Sequence, residues 1–254
     1  MPKFSANLGF LWADRSLPDA IRAAGAAGFD AVECHWPYGS SEHDVRQALA
    51  DTGLKMLGLN TVRGDLSLPE NGLAALPDRE SDARAAIVQA IEYAEAIDAA
   101  NIHVMAGFAQ GPKAHDTFVA NLRFACTRAA KSGRSILIEP LNHYDAPGYF
   151  LSRTEQVRDL IHEVQHDNLK LMFDCYHVQL MEGDLSRRLE RFLPVIGHIQ
   201  FASVPDRGAP DRGEVNYAHI FNYLDRLGYD RPLGAEYKPV GSTDDSLDWM
   251  QLYR

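Results

Sequence analysis

Short apolar runs alternate along this chain with longer stretches of helical period. Eight runs rich in β-branched and aromatic residues recur at 4–10, 31–35, 55–61, 102–106, 135–141, 170–175, 195–202 and 232–237, each followed by a segment whose apolar positions repeat at three or four residues. In the first such segment, 17–27, Leu17, Ala20, Ile21, Ala24 and Ala27 make one face, with Pro18 near the start, where a helix tolerates proline. The third, 81–99, has Ser81 placed to cap it, and the last opens at Ser242-Thr243-Asp244-Asp245, a cap followed by two carboxylates at the positive helix end. Gly28, Asn101, Gly133 and Gly228 mark the turns that return each helix to the next strand. One strand and one helix per roughly 32 residues is the pace of a (β/α)8 barrel. The expected fold is therefore α/β, a single TIM barrel over residues 1–254. A doubly wound open sheet is the competing topology, but neither GxGxxG nor a Walker loop follows the first run. Residues 62–79, with Gly64, Pro69, Gly72 and Pro77, form a long connection and a candidate active-site flap.

Charge and cysteine usage narrow the function. Of 254 residues, 25 are Lys or Arg and 35 Asp or Glu, a net charge of −10, which repels phosphate backbones and anionic membrane surfaces. Cys34, Cys126 and Cys175 are far apart and form no CxxC pair, so they read as small buried hydrophobes in a reducing compartment. The N-terminus has no apolar signal core, and no window approaches the roughly 18 apolar residues of a membrane span. The expectation is a cytoplasmic protein with neither nucleic acid nor membrane as partner. The helical exterior of a barrel could support a homo-oligomer.

A barrel builds its active site at the C-terminal ends of its strands. Four successive runs end there in polar groups: Ile138-Glu139-Pro140, Phe173-Asp174, Ile199-Gln200 and Ala235-Glu236. Three carboxylates converging on one point repel one another unless a cation or shared protons hold them. Oxygen ligands suit a divalent metal such as Mg²⁺ or Mn²⁺ better than zinc.

The segments Ile138-Glu139-Pro140-Leu141-Asn142, Phe173-Asp174-Cys175-Tyr176-His177, His198-Ile199-Gln200 and Gly234-Ala235-Glu236-Tyr237, with Phe4-Ser5-Ala6-Asn7-Leu8 and His103-Val104-Met105-Ala106-Gly107, resemble the hydroxypyruvate isomerase branch of the xylose isomerase-like TIM barrels. That resemblance implies an intramolecular oxidoreductase of the aldose–ketose type, interconverting hydroxypyruvate and tartronate semialdehyde. The related 2-oxo-tetronate isomerases share these motifs, and ketose 3-epimerases and endonuclease IV-like phosphodiesterases share the barrel. It further implies a metal held by Glu139, Asp174, Gln200 and Glu236, with Glu139 and Glu236 as proton donor and acceptor on opposite faces of a small hydroxy-oxo acid. The sugar 3-epimerases usually carry His at the position of Gln200. An amide oxygen is a weaker ligand, which implies a loosely held ion. Moving a carbonyl to the adjacent carbon needs these parts, since a proton must leave, an enediolate must be stabilised and a proton must return.

Around this quartet, His177 lies one turn past Asp174, placed to touch a substrate oxygen. Arg207 offers a bidentate fork to a carboxylate, and Lys238 falls on the same side of an extended chain as Glu236. Asn7 and His103, inside the first and fourth runs, are further candidates for substrate contact. Glu33 is read as a supporting group, and Trp12, Trp36 and Phe108 as aromatic walls of the mouth or simple packing.

Overall fold

The computed structural model describes residues 2–65, 67–68 and 70–253. Among them, nine parallel strands form one sheet: β1 Phe4–Asn7, β2 Ala31–Glu33, β3 Lys55–Met56, β4 Gly58–Asn60, β5 Asn101–His103, β6 Ser135–Ile138, β7 Leu169–Asp174, β8 Ile196–Phe201 and β9 Leu233–Ala235. Their order is β3-β2-β1-β9-β8-β7-β6-β5-β4. The two ends of that order are pieces of one run, 55–61, so the sheet closes on itself. The break expected nowhere in that run falls at Leu57. Its N–H donates to Val32 O at 2.7 Å on one side, and its carbonyl accepts from Asn101 N at 3.0 Å on the other. One residue thus hands the ladder from β2 to β5, and eight predicted strands become nine segments of an eight-staved barrel.

Helices α1 Leu17–Ala26, α2 Glu42–Thr52, α3 Glu80–Ile97, α4 Pro112–Ala129, α5 Thr154–Val164, α6 Cys175–Met181, α7 Leu185–Phe192, α8 Tyr217–Arg226 and α9 Trp249–Tyr253 alternate with the strands, two of them standing between β7 and β8. Two capping expectations need correction. The α3 helix starts at Glu80 and no side chain caps it, because the chain enters from a 3₁₀ turn at Pro77–Arg79. Ser242 does accept from Asp245 N at 3.2 Å, but it caps a 3₁₀ turn, and α9 begins only at Trp249. By contrast Gly28, Gly133 and Gly228 take the positive φ expected of helix-to-strand turns.

Buried side chains from both faces of the sheet make one continuous core. Phe4 of β1 meets Phe201, Phe221 and Trp249 edge-on at 5.8, 5.3 and 5.0 Å, locking β1, β8, α8 and α9 together. Cys34, Cys126 and Cys175 are buried and unpaired. No helix among the described residues is long and apolar enough to cross a membrane.

Candidate active site

A cavity of about 320 Å³ opens at the C-terminal ends of the strands, lined among others by Phe10, His35, Trp36, Arg63, His103, Glu139, His177, Arg207, Glu236 and Lys238. Strand register explains the convergence. Asp174 and Gln200 are paired positions of β7 and β8, while Glu139 and Glu236 each follow directly on a strand end. All four are buried, between 0% and 6% exposed.

The three carboxylates sit in unlike surroundings. Glu236 is saturated with donors: Asn7 Nδ2 donates to Oε1 at 3.0 Å, His35 Nε2 lies 2.9 Å from the same oxygen, and Arg207 Nη2 donates to Oε2 at 2.7 Å. Burial pushes its pKa up, but the guanidinium outweighs burial and holds Glu236 down at about 2. Glu139 has no such support. Burial, then the charges of Glu236 and Asp174, drive its pKa well above the carboxylate range, and its Oε1 has no hydrogen-bond partner among the described residues. Asp174 caps α6 by accepting from Tyr176 N at 2.9 Å through Oδ1. Its Oδ2 is left unpartnered, and burial followed by the charge of Glu236 raises its pKa to about 7.

Two histidines sit among these acids. His177 is pushed down to about 3 by burial and by Arg207, so its ring is neutral. Asn142 N–H donates to its Nδ1 at 3.0 Å, which leaves the ring proton on Nε2, facing Asp174 Oδ2 at 3.6 Å and Glu139 Oε1 at 4.0 Å. His177 is therefore a donor toward the cavity rather than a metal ligand. His103, held at about 3 mainly by burial, places Nδ1 3.7 Å from Glu139 Oε2.

The donor set fits a divalent cation. Ligand atoms of Glu139, Asp174 and His177 all lie within 4.8 Å of one another, and buried Glu139 Oε1, Asp174 Oδ2 and Gln200 Oε1 lack hydrogen-bond partners among the described residues. Unsatisfied buried oxygens cost free energy unless something electropositive faces them. Oxygen donors of this kind suit a hard ion.

Of the other candidates, Arg207 lies deep in the site and Lys238 at its rim, with Nζ 5.9 Å from the Phe10 ring centroid. Glu33 is outside the cavity lining, its Oε2 2.6 Å from His198 Nε2 beneath the site. Gly234 makes room for this pair, since a Cβ there would stand 2.3 Å from Glu33 Oε1 and 2.9 Å from Gln200 Cγ. Trp36 lines the mouth, whereas Trp12 is core and Phe108 packs on Tyr149 outside the cavity. In the flap, Arg63 and Asn71 face the cavity. Gly72 N–H donates to Arg63 O at 2.7 Å, and Ala75 N–H donates to Ala106 O at 2.8 Å, which ties the segment to the end of the fourth run. Leu66 and Pro69 of the flap lie outside the described residues.

His35 is the functional neighbour that strand-end reasoning passed over, although it closes the run 31–35 just as Glu139 follows its own. Its ring lies against the turn after β1, where a Cβ on Gly9 would come within 2.1 Å of Nδ1. Phe10 and Trp36 flank it at ring-centroid distances of 5.2 and 5.1 Å.

Known proteins share this arrangement. Residues 21–253 match the family described as "Xylose isomerase-like TIM barrel". A 2-oxo-tetronate isomerase from Cupriavidus necator is 44% identical over 100% of this chain and 99% of its own. A hydroxypyruvate isomerase from Escherichia coli is 37% identical over 100% of both. A crystal structure titled "AP endonuclease, family 2" from Brucella melitensis superposes with a TM-score of 0.96 at 36% identity, covering 100% of both chains.

Proposed function

The chain belongs to the xylose isomerase-like TIM barrel family, and from that membership and the site geometry we propose an aldose–ketose isomerase of small hydroxy-oxo acids that interconverts hydroxypyruvate and tartronate semialdehyde. One observation carries the reading. Two buried glutamates from different strands, Glu139 and Glu236, face one small cavity that also presents a guanidinium.

The chemistry follows from these groups. Arg207, with Lys238 at the rim, pairs with the substrate carboxylate and fixes which end of the acid enters first. One glutamate takes a proton from the hydroxyl-bearing carbon, the bond electrons form an enediolate, and the other glutamate delivers a proton to the former carbonyl carbon. The Nε2 proton of His177 and the amide of Asn7 are placed to hydrogen-bond substrate oxygens, and His103, neutral, lies beside Glu139. Glu139, Asp174, Gln200 and Glu236 would hold a divalent cation, Mg²⁺ or Mn²⁺, which when bound stabilises the enediolate oxygens. Trp36, Phe10 and Met105 line the cavity and limit the water that reaches the intermediate. A net charge of −10 and a cavity of about 320 Å³ favour a small molecule over a nucleic-acid backbone.

The four-carbon 2-oxo-tetronate is a second substrate to weigh, because the 44% identical relative carries that name and the cavity has volume for one more hydroxymethylene. Incubation of the protein with each acid in heavy water, followed by NMR, tests both. Deuterium on the carbon next to the carbonyl and appearance of the isomeric oxo acid are expected. Absence of exchange with both acids would overturn the reading.

A further inference from the structure

Arg207 occupies the place where the carboxylates call for a positive charge. Its Nη2 is 2.7 Å from Glu236 Oε2 and 3.7 Å from Asp174 Oδ2, so one guanidinium spans two of the four groups that would hold a cation. Nη1 reaches Asp145 Oδ2 at 3.4 Å. The guanidinium is caught between the rings of Phe10 and Tyr176, each with its centroid 4.9 Å from Cζ. The backbone is held as well. Arg207 sits at φ 54°, in the left-handed region that non-glycine residues rarely adopt. Its N–H donates to Ser203 O at 2.9 Å, and its carbonyl accepts from Lys238 N at 2.8 Å. A side chain gripped on both faces above a pinned backbone does not swing far from the cluster.

We propose that Arg207 is a built-in competitor of the divalent cation and couples its capture to that of the acid. Before the acid arrives, the guanidinium neutralises Glu236 and Asp174 and repels a second cation. Once the acid's carboxylate pairs with the guanidinium, the positive charge is shared with that new anion, and the protein oxygens recover their attraction for the metal. Linkage makes the coupling reciprocal, so the metal raises affinity for the acid by the factor by which the acid raises affinity for the metal. The inference rests on the reading of the quartet as a metal site and of the substrate as an acid.

Mn²⁺ titration of the full-length protein by calorimetry, with free Mn²⁺ followed by EPR, tests it on wild type and Arg207→Met, with and without D-glycerate. Glycerate carries the carboxylate and hydroxyls but no carbonyl, so it binds without being isomerised. Without glycerate, Arg207→Met is expected to bind Mn²⁺ at least tenfold more tightly than wild type. Glycerate is expected to tighten Mn²⁺ binding to wild type at least tenfold and to the variant less than threefold. Arg207→Gln, uncharged and polar, carries the same expectation and replaces the methionine variant if that one does not fold. Equal or weaker Mn²⁺ binding by the uncharged variants, the same glycerate effect in both proteins, or no Mn²⁺ binding by any of them overturns the proposal. The heavy-water exchange on wild type is read separately, so loss of this coupling leaves the isomerase reading standing, and failure of exchange leaves the titration interpretable.

Discussion

The barrel gathers acidic side chains in two places, and the two clusters are built on opposite terms. Between α5 and α7, Glu155 and Glu182 face Arg188, whose Nη1 is 2.9 Å from an oxygen of each, with Arg191 3.3 Å from Glu155. Thr154 N–H donates to Glu182 Oε1 at 2.9 Å. Two acids thus meet two arginines and a backbone donor. At the mouth, Glu139, Asp174 and Glu236 share one arginine and two neutral histidines, and two of the three acids keep an unpartnered oxygen. The balanced cluster ties helices together. The unbalanced one holds back electrostatic capacity for a ligand, at some expense of stability.

If that contrast is right, mutations at the two sites must fail in different ways. The largest effect is expected for Glu139→Gln and Glu236→Gln, each lowering kcat by roughly 10³-fold or more. Both variants should melt no lower than wild type, because each removes a charge from a crowded buried group. Near-normal rates in both would dismiss the two-glutamate shuttle.

Arg188→Met is the converse case. It leaves the side chain of Glu182, 1% exposed, without its cation, a loss of roughly 3 kcal/mol and about 10 °C in melting temperature. Turnover per folded molecule should not change. A variant that melts like wild type but works poorly would reverse the assignment of roles.

A pH series on metal-free protein gives a smaller effect. A raised carboxyl pKa contributes stability that is present at low pH and lost as pH rises through the folded value, about 7 for Asp174 and higher than usual for Glu139. His103 and His177, lowered to about 3, act oppositely below their ordinary value of 6.5, where the unfolded chain takes up protons that the folded one refuses. The two influences offset below pH 6.5 and only the carboxyls remain above it. Melting temperature should therefore be level from pH 5 to 6.5 and fall by a few degrees toward pH 8. Saturating Mn²⁺ should remove that fall. A melting temperature that climbs steadily to pH 8 without metal would contradict the crowding of Asp174 and Glu139.

The smallest effect is expected at the rim, where Lys238 is exposed. Lys238→Met should raise KM for the acid a few-fold and leave kcat unchanged, as read from steady-state rates. A drop in kcat instead would place the ammonium closer to the reacting carbons.

Much of this was legible along the chain because strand ends carry their own signal. An acidic or amide residue directly after an apolar run, as at Glu139, Asp174, Gln200 and Glu236, projects from the strand terminus toward the mouth whatever the neighbours are. The turns at Gly28, Gly133 and Gly228 were equally local. The break at Leu57 was not, because the apolar pattern of 55–61 is continuous and the interruption comes from bonding two different neighbours. Ser81 misled for a related reason. It has the right chemistry for a cap, but the preceding 3₁₀ turn starts the helix one residue earlier.

Residue type and order therefore specify the βα repeat, the acids at the barrel rim and their common destination, since each of these depends on interactions between near neighbours. Closure of the barrel settled the rest. It set His35 and Asn7 of the first two strands against Glu236, 201 and 229 residues away, and laid Arg207 across Glu236 and Asp174. Whether a given acid ends up charged or neutral follows from those distant partners and from depth of burial. Both are properties of the assembled fold, and no stretch of chain contains them.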